Sequence, residues 1–167
     1  RFPNFEIIVV NDGSKDRTME VLQKTLQLRR RDVPFRAGIA TAAVRGLYEA
    51  TIPLPPSVRR LVVVDKANGG KADALNAGIN ASVCPYVISM DADLQHFPED
   101  IPAFLAKIED GYDVVCGWRA DRQEGIVRRW PSAAANWLVR RLTGLTIHDV
   151  GTTFRAYRGD VVRQLQL

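Results

Sequence analysis

The chain has 167 residues, 46% of them apolar and 25% charged, the composition of a folded globular domain rather than of a disordered or fibrous chain. Its net charge of +4 is unevenly spread, with +5 over residues 1–84, −6 over 85–113 and +5 over 114–167. No apolar run reaches the ~20 residues of a bilayer crossing, the first residues carry no signal-peptide pattern, and no basic stripe with interleaved aromatics marks a nucleic-acid binder.

Glu6-Ile7-Ile8-Val9-Val10 reads as a β-branched strand that ends in the polar turn Asn11-Asp12-Gly13-Ser14. Asp16 then caps a helix that carries Met19, Leu22 and Leu26 inward. The stretch from Asp32 to Arg60 is broken by Pro34, Pro53, Pro55 and Pro56, with a short helix expected within Ile39 to Tyr48. Leu61-Val62-Val63-Val64 is a second buried strand, closed by Asp65. Asn68-Gly69-Gly70 opens a helix from Lys71 whose Ala72, Leu75 and Ile79 share a face. The pattern repeats in Tyr86-Val87-Ile88-Ser89-Met90, the loop Asp91-Ala92-Asp93-Leu94-Gln95, and a helix begun by Pro98 with Ile101, Phe104, Leu105 and Ile108 on one side. A fourth strand runs from Asp113 to Gly117, followed by a loop to Arg128 and a helix around Ala133 to Leu142.

Strands apolar on both faces, alternating with helices, predict an α/β sandwich around a mostly parallel sheet in a single domain over residues 1–167. An open α/β sheet normally starts with its own strand and loop, so a chain that begins five residues before a strand already leading into a ligand-type loop is expected to lack the first strand and to be a piece of a longer polypeptide. Cys84 and Cys116 adjoin apolar runs and are expected to be reduced thiols, which argues for a cytoplasmic setting. The 18 arginines against 5 lysines fit planar phosphate recognition or a plain compositional bias.

Polar loops rich in Asp, Asn and Gly follow three strands at their carboxyl ends, the edge where open α/β sheets bind ligands. Asp91-Ala92-Asp93 after a buried strand sets two carboxylates at that edge, and a hard divalent cation such as Mg²⁺ or Mn²⁺ prefers such oxygens together with phosphate. Alternation along an extended strand end would point Asp91 and Asp93 the same way, with Gln95 in register. Lys71 at a helix start can meet a phosphate or serve as a surface lysine. His96 and His148 read as ordinary loop residues more than as metal ligands. Trp118 is open to stacking on a base or sugar, whereas Trp130 and Trp137 read as packing residues.

Asn11-Asp12-Gly13-Ser14-Lys15-Asp16, the segment from Asn68 to Asn76 and Asp91-Ala92-Asp93 resemble, in order and spacing, the nucleotide-sugar half of family 2 glycosyltransferases of the Rossmann-like GT-A fold. That resemblance implies a nucleotide-sugar donor bound by Asn11, Asp12, Ser14, Gly70, Lys71 and Asp91. It also implies a metal held by Asp91, Asp93 and Gln95, with Asp93 the principal ligand. Asn11 stands where many members have Asp, and its amide can still hydrogen-bond. Further segments, among them Gly117-Trp118-Arg119, Arg128-Arg129-Trp130-Pro131-Ser132 and Asp149 to Arg158, look like the polyprenyl-phosphate branch. In that branch the positions of Arg119, Arg128 and Ser132 grip the acceptor lipid phosphate, and the enzyme works at the inner face of the membrane.

The segment Asn68 to Asn76 is more similar to processive polysaccharide synthases. Those relatives carry a Gln-x-x-Arg-Trp segment and a Thr-Glu-Asp base; here Ile126 takes the glutamine place before Arg129-Trp130 and the tripeptide is absent, so the acceptor tilts toward lipid phosphate. The implied reaction is inverting transfer, with Asp93 and Arg119 acting on the phosphates. An ionised phosphate acceptor needs no strong base; Asp149 is the base candidate for a hydroxyl acceptor, its other role being to hold Arg155 or cap a turn. A nucleotidyltransferase would show a Gly-rich activation loop that this chain lacks. A non-catalytic nucleotide-sugar-binding remnant is the remaining alternative.

Overall fold

The computed structural model describes residues 4–35, 37–117, 141 and 152–164. In chain order the elements are β1 (Phe5–Asp12), α1 (Thr18–Leu26), β2 (Arg29–Arg30), β3 (Val44–Glu49), β4 (Val58–Lys66), α2 (Lys71–Ala81) and β5 (Tyr86–Ser89), then a 3₁₀ turn (Pro98–Asp100), α3 (Ile101–Glu109), β6 (Val114–Cys116), β7 (Arg155–Arg158) and α4 (Gly159–Val162). They form two compact units, Arg1–Val87 with Gly159–Leu167, and Ile88–Arg158.

The first unit is built on a four-stranded sheet in the order β1-β4-β3-β2. β1 runs parallel to β4, with Val9 opposite Val63 and Asp12 opposite Lys66. This register brings the polar ends of both strands to one edge. Val62, Val63 and Val64 of β4 are buried, and removal of each from water is worth about 1.5–3 kcal/mol. α2 covers β1 with Ala77 and Ile79 buried, and at Gly78 an added Cβ would stand only 3.4 Å from Val10 Cγ2, so the helix lies close to the strand. α1 buries no side chain fully, although Met19, Leu22 and Leu26 are half-buried, the face expected from their spacing.

Three expectations change here. The sheet has its first strand: the apolar run from Phe5 pairs along its length with β4, so β1 closes one side. The short helix expected within Ile39 to Tyr48 is instead β3, antiparallel to β4 with Leu47 opposite Val64 and Tyr48 opposite Val63. Backbone pairing to a buried neighbour outweighs weak helix propensity there. The sheet is consequently mixed, with one parallel pair and two antiparallel ones.

The chain leaves this unit after Val87 and returns at Gly159. Gly159 N–H donates to Pro85 O at 2.6 Å, and the Arg163 guanidinium donates to Cys84 O at 2.8 Å and Ser82 O at 3.2 Å. An added Cβ at Gly159 would stand 2.8 Å from the Cys84 and Pro85 carbonyl oxygens, so a larger residue would push the two passages of chain apart.

The second unit carries a three-stranded sheet in the order β5-β7-β6, with β6 and β7 antiparallel. Its core joins Phe104, Ile108, Phe154 and Ala156, with Ile88, Ile101 and Val115 packed around them. Phe104 and Phe154 meet at a ring-centroid distance of 4.5 Å, tilted by 34°. Both cysteines are free thiols, and burial followed by the charge of Glu6 pushes Cys84 up from the ordinary thiol range. The helix expected around Ala133 to Leu142 lies outside the described residues, apart from Arg141.

Candidate functional site

In the first unit the ends of β1 and β4 are drawn together by one buried cation. Lys66, the last residue of β4, is wholly buried, and its ammonium donates to Asp12 Oδ1 at 2.5 Å, to Ala67 O at 2.7 Å and to Asp73 Oδ2. A lysine ammonium has three hydrogens, and here each has an acceptor. Burial alone would lower the lysine pKa; the hydrogen bonds and charges of Asp12 and Asp73 outweigh it, and the net shift is upward.

The two carboxylates tie this cation to three loops. Asp12 accepts from Gly69 N–H at 3.0 Å through Oδ1 and from Gly70 N–H at 2.9 Å through Oδ2, while Asn68 Nδ2 donates to Asp12 O at 2.9 Å. Burial would raise its pKa, but Lys66 and the two glycine amides hold it below the ordinary carboxylate range. Asp73 accepts from Ala42 N–H at 2.8 Å and from the Thr41 hydroxyl at 2.9 Å, and chiefly Lys66 keeps its pKa low. Gly13 permits the close approach: its φ is +69° and an added Cβ would lie 2.6 Å from Asn68 N.

Among the expected donor residues, Asn11 is buried, donating to Asp65 Oδ1 at 2.8 Å and accepting from Ser14 N–H at 3.4 Å. Asp12 is spent on the loop Asn68 to Gly70, Ser14 is exposed, and Lys71 begins α2 just after Gly70, whose φ is +85°. Lys66 escaped the reading of the sequence, as did the pairing of Asp73. A lysine two places beyond a run of four apolar strand residues, at the end of the same buried strand, is the signal that could have exposed it, since charge at such a position demands partners.

In the second unit, β5 stops at Ser89 and the following acidic loop is bent rather than extended. Leu94 adopts φ +62°, and Asp93 Oδ1 accepts from Gln95 N–H at 3.1 Å, so the expected strand-like alternation does not reach Asp93 and Gln95. Asp91 is half-buried: its Oδ2 accepts from the Thr153 hydroxyl at 2.6 Å and its N–H donates to His96 Nδ1 at 3.2 Å. That bond assigns Nδ1 as the acceptor nitrogen of His96, whose ring stacks on Phe154 at 5.1 Å. Ser89 Oγ donates to Thr153 O at 2.7 Å and completes the frame. Asp93 and Gln95 are exposed.

Among the described residues no three His, Cys, Asp or Glu side chains converge as a metal cage. The loop still suits Mg²⁺, which is commonly held by one or two carboxylates with substrate phosphates and water completing the shell. Asp93 has the exposure for this, and Asp91 is braced by Thr153. Arg119, Arg128, Ser132, Asp149 and His148 lie outside the described residues.

The loops after β1, β4 and β5 carry carboxylates, amides and glycines at the strand ends, the edge where open α/β sheets hold their ligands. The model of the family described as Glycosyl transferase family 2 matches residues 1–53 and 56–166, and the chain belongs to that family. Over 161 residues it is 38% identical to the undecaprenyl-phosphate 4-deoxy-4-formamido-L-arabinose transferase of Pseudomonas aeruginosa (strain LESB58), covering 96% of this chain and 40% of that protein. The protein of the same name in Pseudomonas syringae pv. syringae (strain B728a) is 37% identical over 95% of this chain and 39% of its own length. That of Edwardsiella ictaluri (strain 93-146) is 34% identical over 96% and 41%. The chain thus spans about two fifths of the length of the curated relatives it matches.

Proposed function

We propose that this chain is part of a glycosyltransferase that moves a sugar from a UDP- or GDP-linked donor to a polyprenyl phosphate, inverting the anomeric centre. The observation that carries this reading is the similarity to undecaprenyl-phosphate sugar transferases along 96% of the chain. An oxygen of the acceptor phosphate forms the new bond to the anomeric carbon while the bond to the nucleoside diphosphate breaks and its electron pair leaves with the diphosphate. The phosphate nucleophile is already ionised near neutral pH, so no strong base is required and Asp149 stays outside the chemical step.

Mg²⁺ or Mn²⁺ would be held by Asp91, Asp93 and Gln95, and when bound it neutralises charge on the departing diphosphate. Asp93 supplies the accessible carboxylate, and Thr153 keeps Asp91 oriented. The donor contacts fall to Asn11, Asp12, Ser14, Gly70 and Lys71, with Asp12 acting through the loop it holds. Arg119, Arg128 and Ser132 grip the acceptor phosphate, because guanidinium forks offset the repulsion between two anionic substrates. The reaction takes place at the cytoplasmic face of a membrane; among the described residues no helix is long and apolar enough to cross one.

The segment Asn68 to Asn76 favours a second reading, a polysaccharide synthase with a hydroxyl acceptor. Incubating the full-length protein with labelled UDP- and GDP-sugars, polyprenyl phosphate and Mn²⁺ separates the two. Label in the organic phase, lost with a chelator, is the expected result. Label in a polymer supports the synthase, and no transfer to either acceptor overturns both.

A further inference from the structure

We propose that Lys66 is a positioning residue for the donor. Its ammonium is the latch that holds Asp12 and Asp73 together, and through Asp12 it fixes the loop Asn68 to Gly70 in its binding shape. This rests on the reading of the chain as a nucleotide-sugar transferase.

The geometry leaves Lys66 no other task. Its three ammonium hydrogens are taken by Asp12, Asp73 and Ala67 O, and the side chain is wholly buried, so it neither meets solvent nor offers a hydrogen to a ligand. What it controls is a chain of contacts. The Asp12 carboxylate receives both glycine amides, from Gly69 at 3.0 Å and Gly70 at 2.9 Å. Asp73, in the first turn of α2, receives Ala42 N–H and the Thr41 hydroxyl, so the same cation also steadies the segment before β3.

Without the cation, two carboxylates that now share it would face each other with about a fifth of each side chain exposed. Like charges at such a site repel, and the cheapest relief is rotation of Asp12, which would release Gly69 and Gly70. The remaining charges at this sheet edge do not replace the latch. Asp65 accepts from Asn11, and Arg45 stands 3.9 Å from Asp65 with its side chain half exposed.

The position also explains why the latch is a lysine rather than an arginine. Three acceptors around one point fit a compact ammonium, whereas the planar five-donor fork of arginine would bring unsatisfied N–H groups into a closed site.

The test uses the full-length protein with three variants, Lys66→Met, Lys66→Met/Asp73→Asn and Asp73→Asn. Donor KM and kcat are measured alongside hydrogen–deuterium exchange of the peptide containing Gly69 and Gly70. For Lys66→Met the expected result is a donor KM raised at least tenfold with kcat changed less than threefold, and exchange at the loop accelerated at least tenfold. The double variant, relieved of one carboxylate, should recover at least threefold in KM. Should Lys66→Met fail to fold, Asp73→Asn decides in its place, with a smaller rise in donor KM and faster loop exchange expected. Unchanged loop exchange and unchanged KM in a folded variant would overturn the latch. Wild-type protein that uses no nucleotide-sugar would defeat the functional reading instead, while the exchange data would still judge whether Lys66 holds the loop.

Discussion

The two acidic centres of this chain handle charge in opposite ways. Around Lys66, two aspartates and a lysine are almost fully satisfied by one another and by backbone amides. On the loop after β5, Asp93 is exposed and its carboxylate takes one backbone amide, from Gln95. A carboxylate consumed by protein donors shapes a site, whereas an exposed one has capacity left for a ligand. Asp12 closes β1 and Asp93 stands in the loop after β5, and their surroundings separate a carboxylate consumed by protein donors from one left exposed.

Substitutions that treat the two centres alike test that difference. The largest effect is expected for Asp93→Asn: on the proposed reading it removes the carboxylate that would hold the cation facing the departing diphosphate, and sugar transfer should drop about 100-fold or more. Urea unfolding should show stability within about 0.5 kcal/mol of wild type, as for an exposed residue. Equal losses of stability and activity would erase the contrast.

Lys66→Met should instead lower stability, with turnover little changed at saturating donor. Leaving partly buried carboxylates without their cation is expected to cost about 3 kcal/mol in the same unfolding experiment. Gly13→Ala attacks that centre through the backbone. Strain at φ +69° and the collision with Asn68 should cost about 2 kcal/mol, read as a lower urea midpoint at unchanged slope. Thr153→Val takes the hydroxyl from Asp91 and should cost about 1.5 kcal/mol, with weaker Mn²⁺ affinity in calorimetry.

The smallest effect is a pH dependence. Asp12 and Asp73 have lowered pKa values in the fold, so their contribution is present above the ordinary carboxylate value of 3.8 and is lost as pH falls below it through their folded values. Lys66 is shifted the other way. Its share is complete below 10.5 and disappears as pH rises past its folded value. Stability from this cluster should therefore be flat between about pH 5 and 10, and Lys66→Met should lose the alkaline limb.

Much of this architecture was legible from residue spacing. The β-branched runs before Asp12, Asp65 and Asp91 announced β1, β4 and β5, and the helical spacing of Ala72, Leu75 and Ile79 announced α2. β3 was not legible, because its stability comes from antiparallel pairing with a distant strand rather than from its own pattern. The bend after Asp91 was missed for a local reason: a leucine in the left-handed region has no sequence signature comparable to glycine. Lys66 was overlooked because Asp12, 54 residues away, becomes its neighbour only with β1 and β4 in register, and Asp73, 7 residues on, only from the first turn of α2.

The bond between Gly159 and Pro85 carries a consequence for how this polypeptide can be built and altered. Departure and return of the chain share one doorway, so everything from Ile88 to Arg158 is an insertion whose ends are already closed in space. Lengthening or shortening the inserted stretch changes closure entropy only slowly with residue number, and the sheet around Lys66 need not be redrawn to accommodate it. Changes inside the inserted stretch can therefore leave the lock around Lys66 as it is.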